Sequence, residues 1–154
     1  MRLNSYCWFF SLSIGMVLSV GPLLACTIAQ SSGQHYVVVG LADDGKKVQI
    51  DPSQVLLVCL PTQATGYRWN VSKYDSAFWT PSELGKEQLR QLDAEGVLHF
   101  VPEHGFPGAT GRSVFEFKPL AQGATRISLH YERSWDKQNP AKTFAVTVSI
   151  VRHD

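Results

Sequence analysis

Past Ser32 the chain falls into short runs in which apolar and polar residues alternate with period two, the spacing that puts every second side chain on one face of a β-strand. "QHYVVVG" and "KKVQI" come first, separated by the turn signal Asp43-Asp44-Gly45. In "YRWNV" Tyr67, Trp69 and Val71 alternate with Arg68 and Asn70, and in "VFEFK" Phe115 and Phe117 flank Glu116. "RISLHYE" sets Ile127, Leu129 and Tyr131 on one face and sends His130 to the other, while "TFAVTVSIV" aligns Phe144, Val146, Val148 and Ile150. One further run, "QVLLVCL", is almost continuously apolar and reads as a buried strand. About seven short strands separated by turn signals predict an all-β domain, an immunoglobulin-like antiparallel β-sandwich.

Two segments depart from this pattern. "PSELGKEQLRQLDAEG" contains no β-branched residue and places Leu89 and Leu92 at helical spacing, so residues 82–95 are expected to form a short helical insertion. At the N-terminus, Arg2 precedes the apolar run "YCWFFSLSIGMVLSVGPLLAC", which has the charge, apolar centre and small-residue end of a secretory signal. Residues 1–29 are accordingly assigned to the signal and tether, and 34–152 to the sandwich. Leu23-Leu24-Ala25-Cys26 is similar to a bacterial lipobox, which would attach lipid to Cys26 and hold the protein at a membrane through the polar run "QSSGQ". The alternatives are cleavage after Ala29 and retention of the run as an uncleaved membrane anchor. Export places the protein in the periplasm, on the outer membrane as a lipoprotein, or outside the cell.

Composition narrows the function. The sequence is 44% apolar, with 8 Phe, 5 Tyr and 4 Trp, as expected of a packed domain. Its formal charge is +1, too small to steer it onto nucleic acid. Cys7 and Cys26 belong to the signal region, leaving Cys59 alone in an apolar strand with no partner for an internal disulfide. Catalysis needs a nucleophile and base, or a metal cage, brought together, and the strands offer isolated polar residues instead. His99, Glu103 and His104 in "HFVPEH" match no common zinc spacing, so neither a metal nor another cofactor is expected.

Three polar, glycine- or tryptophan-bearing loops remain: "PTQATGY", "HGFPGATGRS" and "ERSWDKQNPAK". Thr65-Gly66-Tyr67-Arg68-Trp69, Gly108-Ala109-Thr110-Gly111 and Tyr131-Glu132-Arg133-Ser134-Trp135 follow one another in the order and spacing of three motifs. On these residues the chain from about Gln34 to Val151 resembles the chagasin-type inhibitors of papain-like cysteine peptidases. The family's first loop has the form N-P-T-T-G-[YF] followed by x-W, its middle loop G-x-G-G, and its late loop R-P-W. Here Thr62-Gln63-Ala64-Thr65 stands in place of Asn-Pro-Thr-Thr, Thr110 replaces a glycine, and Ser134 replaces the proline between arginine and tryptophan. Proline fixes its own backbone angle, so its loss is expected to loosen both loops before binding.

The resemblance implies a monomeric, non-enzymatic, reversible inhibitor whose partner is a papain-like cysteine peptidase. Ala64, Thr65, Gly66 and Tyr67 would approach the catalytic centre, with Gly108, Ala109, Thr110 and Gly111 beside them. Arg133, Ser134 and Trp135 would dock on the far side of the cleft. Taken alone, the alternation makes Trp69 a core residue and Tyr67 a boundary residue, whereas Trp135 lies in a polar run where a large aromatic calls for a partner. A surface-attached immunoglobulin-like interaction or carbohydrate-binding module is the alternative. It would favour a row of aromatics on a sheet face rather than at loop ends.

Overall fold

The period-two runs become strands in the computed structural model, which describes residues 27–31, 33–63, 66–98 and 111–152. Nine strands are present among these residues: β1 (Thr27–Ser31), β2 (Gln34–Val39), β3 (Lys47–Ile50), β4 (Gln54–Thr62), β5 (Tyr67–Lys73), β6 (Trp79–Glu83), β7 (Gly111–Pro119), β8 (Gly123–Arg133) and β9 (Lys142–Ile150). One helix, α1 (Lys86–Ala94), lies between β6 and β7. The strands form a five-stranded sheet in the order β1-β2-β4-β7-β6 and a four-stranded sheet in the order β3-β9-β8-β5. Their facing sides supply one core, in which Leu56, Val58, Leu60, Phe115 and Phe117 meet Trp69, Ile127, Leu129, Phe144, Val146 and Val148.

The expected sandwich is therefore present, with two differences in pairing and two in extent. β2 and β3 do not form a hairpin. After β2, a short 3-10 turn at Leu41–Asp43 carries the chain across to the other sheet. In consequence β2 runs parallel to β4, and β3 parallel to β9, so the sandwich is not purely antiparallel. The first sheet also begins earlier than expected: Thr27–Ser31, assigned to the processing end and tether, pairs with β2 from Thr27↔Val38 to Ser31↔Gln34. At the opposite edge, Ser82 and Glu83 close β6 and are not part of the helical insertion. Residues 1–26, including the signal and Cys26, lie outside the described residues.

The apolar run in β4 is continuous because both of its faces are covered. Leu56, Val58 and Leu60 point into the sandwich, while Val55 and Leu57 lie beneath the insertion in a second core with Leu84, Leu92, Val97, Leu98 and Val114. Cys59, half-buried, packs against that second core, as its apolar surroundings foretell. The helix is delimited at both ends by local chemistry. The Gln88 side-chain carbonyl accepts from the Gly85 backbone N–H at 2.9 Å, one half of a capping box. At the other end Val97 N–H donates to Leu92 O at 2.9 Å and Gly96 N–H to Asp93 O at 3.0 Å, with Gly96 at φ +70°. This is the Schellman pattern, and Gly96 supplies the left-handed residue it needs. An ion pair between Asp93 and Arg112 ties the helix to the start of β7.

Tyr36 lies on the outer face of β2 beside a cleft of about 150 Å³ that is also lined by Gln88, Gln91, Glu95 and Glu116. Burial first, then the charges of Glu116 and Glu95, push its phenol above the ordinary value of 10.0. The folded state thus holds this proton more tightly than the unfolded chain does. Its contribution to stability is complete below pH 10 and is lost as pH rises through the folded value. Urea denaturation across the alkaline range is expected to show this decline, and Tyr36→Phe to flatten it. An unchanged slope in the variant would assign the decline to other groups.

Candidate functional site

Strand register brings the strand ends that carry the three loops to one end of the sandwich. Thr62, the last residue of β4, pairs with Gly111, the first of β7, so the first loop leaves the sheet beside the point where the glycine loop enters it. In the other sheet Tyr67, the first residue of β5, pairs with Arg133, the last of β8. The late loop, 134–141, connects β8 to β9 at that same end, with Ala141 N–H donating to Tyr131 O at 2.8 Å. Ala64, Thr65, Gly108, Ala109 and Thr110 lie outside the described residues. Gly66, Tyr67, Gly111, Arg133, Ser134 and Trp135 are all placed.

The end of the first loop lies beside the late loop. A Cβ built on Gly66 would lie 3.8 Å from Trp135 Cη2, so the indole stands over the end of the first loop. Trp135 is nevertheless 73% exposed, far more than any other tryptophan in the described residues. Its position follows from a tight turn in which Asp136 N–H donates to Arg133 O at 3.1 Å, leaving Ser134 and Trp135 at the two central positions. Asn139 Nδ2 donates to Asp136 Oδ1 at 3.2 Å and braces the descending limb. The turn therefore closes by its own hydrogen bonds, with Ser134 where the family motif has proline.

Behind the tip the aromatics form a column that leads into the core. The Arg133 guanidinium lies 5.7 Å from the Trp135 ring centroid and 4.6 Å from that of Tyr67. Tyr67 stacks on Tyr131 at 5.4 Å with an interplanar angle of 23°. Tyr131 in turn meets Trp69 at 5.0 Å. Trp69 is 1% exposed, and its Nε1–H donates to Pro61 O at 2.9 Å. The sequence-based division thus holds: Trp69 is core, Tyr67 is half-buried at the boundary, and Trp135 is presented to solvent. What the period-two pattern missed is Tyr131. Its inward spacing marks it as filling, yet its hydroxyl oxygen accepts from Gln63 N–H at 3.1 Å, at the foot of the first loop.

Gly66 has φ +79°, a conformation that costs an L-residue roughly 1–2 kcal/mol. An added Cβ would meet Trp135 at an ordinary van der Waals distance, so backbone strain rather than space penalises a side chain here. Gly66→Ala is expected to lower unfolding free energy by about 1 kcal/mol, read from the urea midpoint. An unchanged midpoint would mean the loop end can relax without strain.

Among the described residues, polar groups elsewhere assemble no comparable site. On the outer face of the second sheet Glu132, only 6% exposed, accepts from Asn70 Nδ2 at 3.2 Å and has His130 Nδ1 at 3.8 Å. No cluster of three His, Cys, Asp or Glu side chains suited to a metal exists among the described residues. His99, Glu103 and His104 lie outside them.

Against known proteins, the model of the chagasin family of peptidase inhibitors matches residues 49–148. No curated protein sequence matches the chain. Among solved structures, the cysteine protease inhibitor EhICP2 from Entamoeba histolytica superposes with a TM-score of 0.54 at 23% identity, over 75% of this chain and 95% of that one. Amebosin gives 0.52 at 18% identity over 77% of this chain and all of that one. PbICP-C, solved in complex with falcipain-2, gives 0.50 at 14% identity with the same coverage. At these identities the likeness establishes a shared fold.

Proposed function

The chain belongs to the chagasin family of peptidase inhibitors, and from that premise we propose that it is an exported, reversible inhibitor of papain-like cysteine peptidases that fills the active-site cleft with three loops. Members of this family are inhibitors and not enzymes. The observation that carries the reading is the meeting of Gly66, Tyr67, Arg133 and Trp135 at one sandwich end, with the tryptophan exposed. The description of EhICP2 as a cysteine protease inhibitor and the complex of PbICP-C with falcipain-2 support a cysteine peptidase as target.

Inhibition of this kind requires no reactive group. Ala64, Thr65 and Gly66 carry little side-chain bulk, so their backbone can approach a catalytic cysteine and histidine closely. Gly108, Ala109, Thr110 and Gly111 flank them, and Arg133, Ser134 and Trp135 bind the opposite wall. Rigid sheets hold all three loops from one end, which limits the ordering entropy lost on association. Titrating the protein against papain-like peptidases tests the proposal. Reversible inhibition, with full recovery of peptidase activity on dilution, is expected; no inhibition at micromolar concentration would overturn it.

Export remains part of the proposal, as a monomer released or held at a membrane by lipid on Cys26. Cleavage after Ala29 would remove Thr27, Ile28 and Ala29, three of the five residues of β1, whereas processing at Cys26 leaves the strand whole. This supports processing at Cys26, to be checked by mass spectrometry of the mature N-terminus.

A further inference from the structure

The first loop lacks the proline of its family motif, and the structure supplies a different constraint at that position. Gln63 stands where the motif has proline, and its backbone N–H, the group a proline would not have, donates to the Tyr131 hydroxyl oxygen at 3.1 Å. Two residues earlier the Pro61 carbonyl accepts from Trp69 Nε1 at 2.9 Å. The ascending limb of the loop is therefore held twice, in each case by an aromatic residue of the neighbouring sheet. The descending limb is held by the same aromatic group, since Tyr67 stacks on the Tyr131 ring at 5.4 Å. Two residues along β8, Arg133 lies over both Tyr67 and Trp135.

We propose that Tyr131 is a positioning residue for inhibition: its hydroxyl and ring together set the first loop and, through Tyr67 and Arg133, the placement of Trp135. It is 3% exposed and does not itself reach the target. The inference rests on the inhibitory reading above and adds to it how this chain restrains the foot of its first binding loop without the motif's proline. A hydrogen bond from a partly buried backbone donor replaces the ring of proline as the restraint on residue 63.

The test is a double-mutant cycle in the full chain with Tyr131→Phe and Gln63→Pro. Tyr131→Phe retains both stacking contacts and removes only the hydroxyl. It is expected to raise the inhibition constant about five-fold, the effect of one such hydrogen bond. The amide of Gln63 should exchange faster with solvent while core amides such as that of Trp69 keep their protection. Gln63→Pro deletes the same hydrogen bond from its other side; Thr62 before it is already extended in β4, the conformation a following proline favours. In the Tyr131→Phe background Gln63→Pro is therefore expected to cost less than it does in the wild-type chain. An unchanged inhibition constant for Tyr131→Phe, or a full second loss on adding Gln63→Pro, would overturn the proposal. If Gln63→Pro does not fold, Tyr131→Phe with amide exchange decides alone. Absence of inhibition by the wild-type chain would instead defeat the inhibitory reading, while the exchange measurement would still report on the clamp.

Discussion

Trp135→Ala is expected to weaken inhibition of a papain-like cysteine peptidase by about 30-fold or more, equivalent to about 2 kcal/mol, while leaving the thermal midpoint nearly unchanged. The two halves of this expectation have separate causes. Trp135 is 73% exposed, so its removal withdraws little buried area from the fold. At the centre of a desolvated interface the same indole would be fully covered, and Trp and Arg are the residues that most often dominate such interfaces. Its placement over Gly66 and against Arg133 means that little ordering remains to be done on binding. Inhibition constants measured beside thermal denaturation decide the matter. Equal inhibition by variant and wild type would remove the late loop from the binding surface. A large fall in midpoint would instead make Trp135 a structural residue.

Trp69→Ala is expected to show the opposite profile, with unfolding free energy lowered by about 3–5 kcal/mol. Trp69 is 1% exposed at the meeting of the two sheets, so alanine would leave a large cavity and deprive Pro61 O of its indole donor. Against a total stability of roughly 5–15 kcal/mol this is about a fifth or more, enough to shift the midpoint by about 10 °C or more. Trp69→Phe separates the contributions, because it restores most of the volume and not the hydrogen bond, and should recover more than half of the loss. A loss below about 1 kcal/mol for the alanine variant would contradict the packing described above.

The strands that show alternation in the sequence are those with a buried face and a solvated one, while β4, covered on both faces, shows instead as a continuous apolar run. β5, β7, β8 and β9 show clean alternation because each contributes one face to the core, as the burial of Trp69, Phe117, Leu129 and Val146 shows. β6 escaped notice. It is an edge strand carrying Pro81, tolerable there because an edge strand needs ladder donors on one side only. β1, at the other edge of the same sheet, has no continuous apolar alternation in "TIAQS", and its residues read as the end of the signal and the tether. The parallel pairs were also beyond local pattern, since β3 finds its partner in the last strand, across almost the whole length of the domain. Nothing in "KVQI" specifies that neighbour.

For the candidate site the balance is similar. The residue types at the loop ends, the glycine at position 66 and the split between a buried Trp69 and an exposed Trp135 follow from alternation and motif order alone, because each depends on neighbours a few residues away. Tertiary structure decided which loops share an end, through the registers Thr62↔Gly111 and Tyr67↔Arg133. It also decided that the first loop is restrained by Tyr131, 68 residues further along the chain. Period-two spacing can say that a side chain points inward. The backbone group its far end will meet is set by how two sheets stack, a non-local fact that only the folded chain contains.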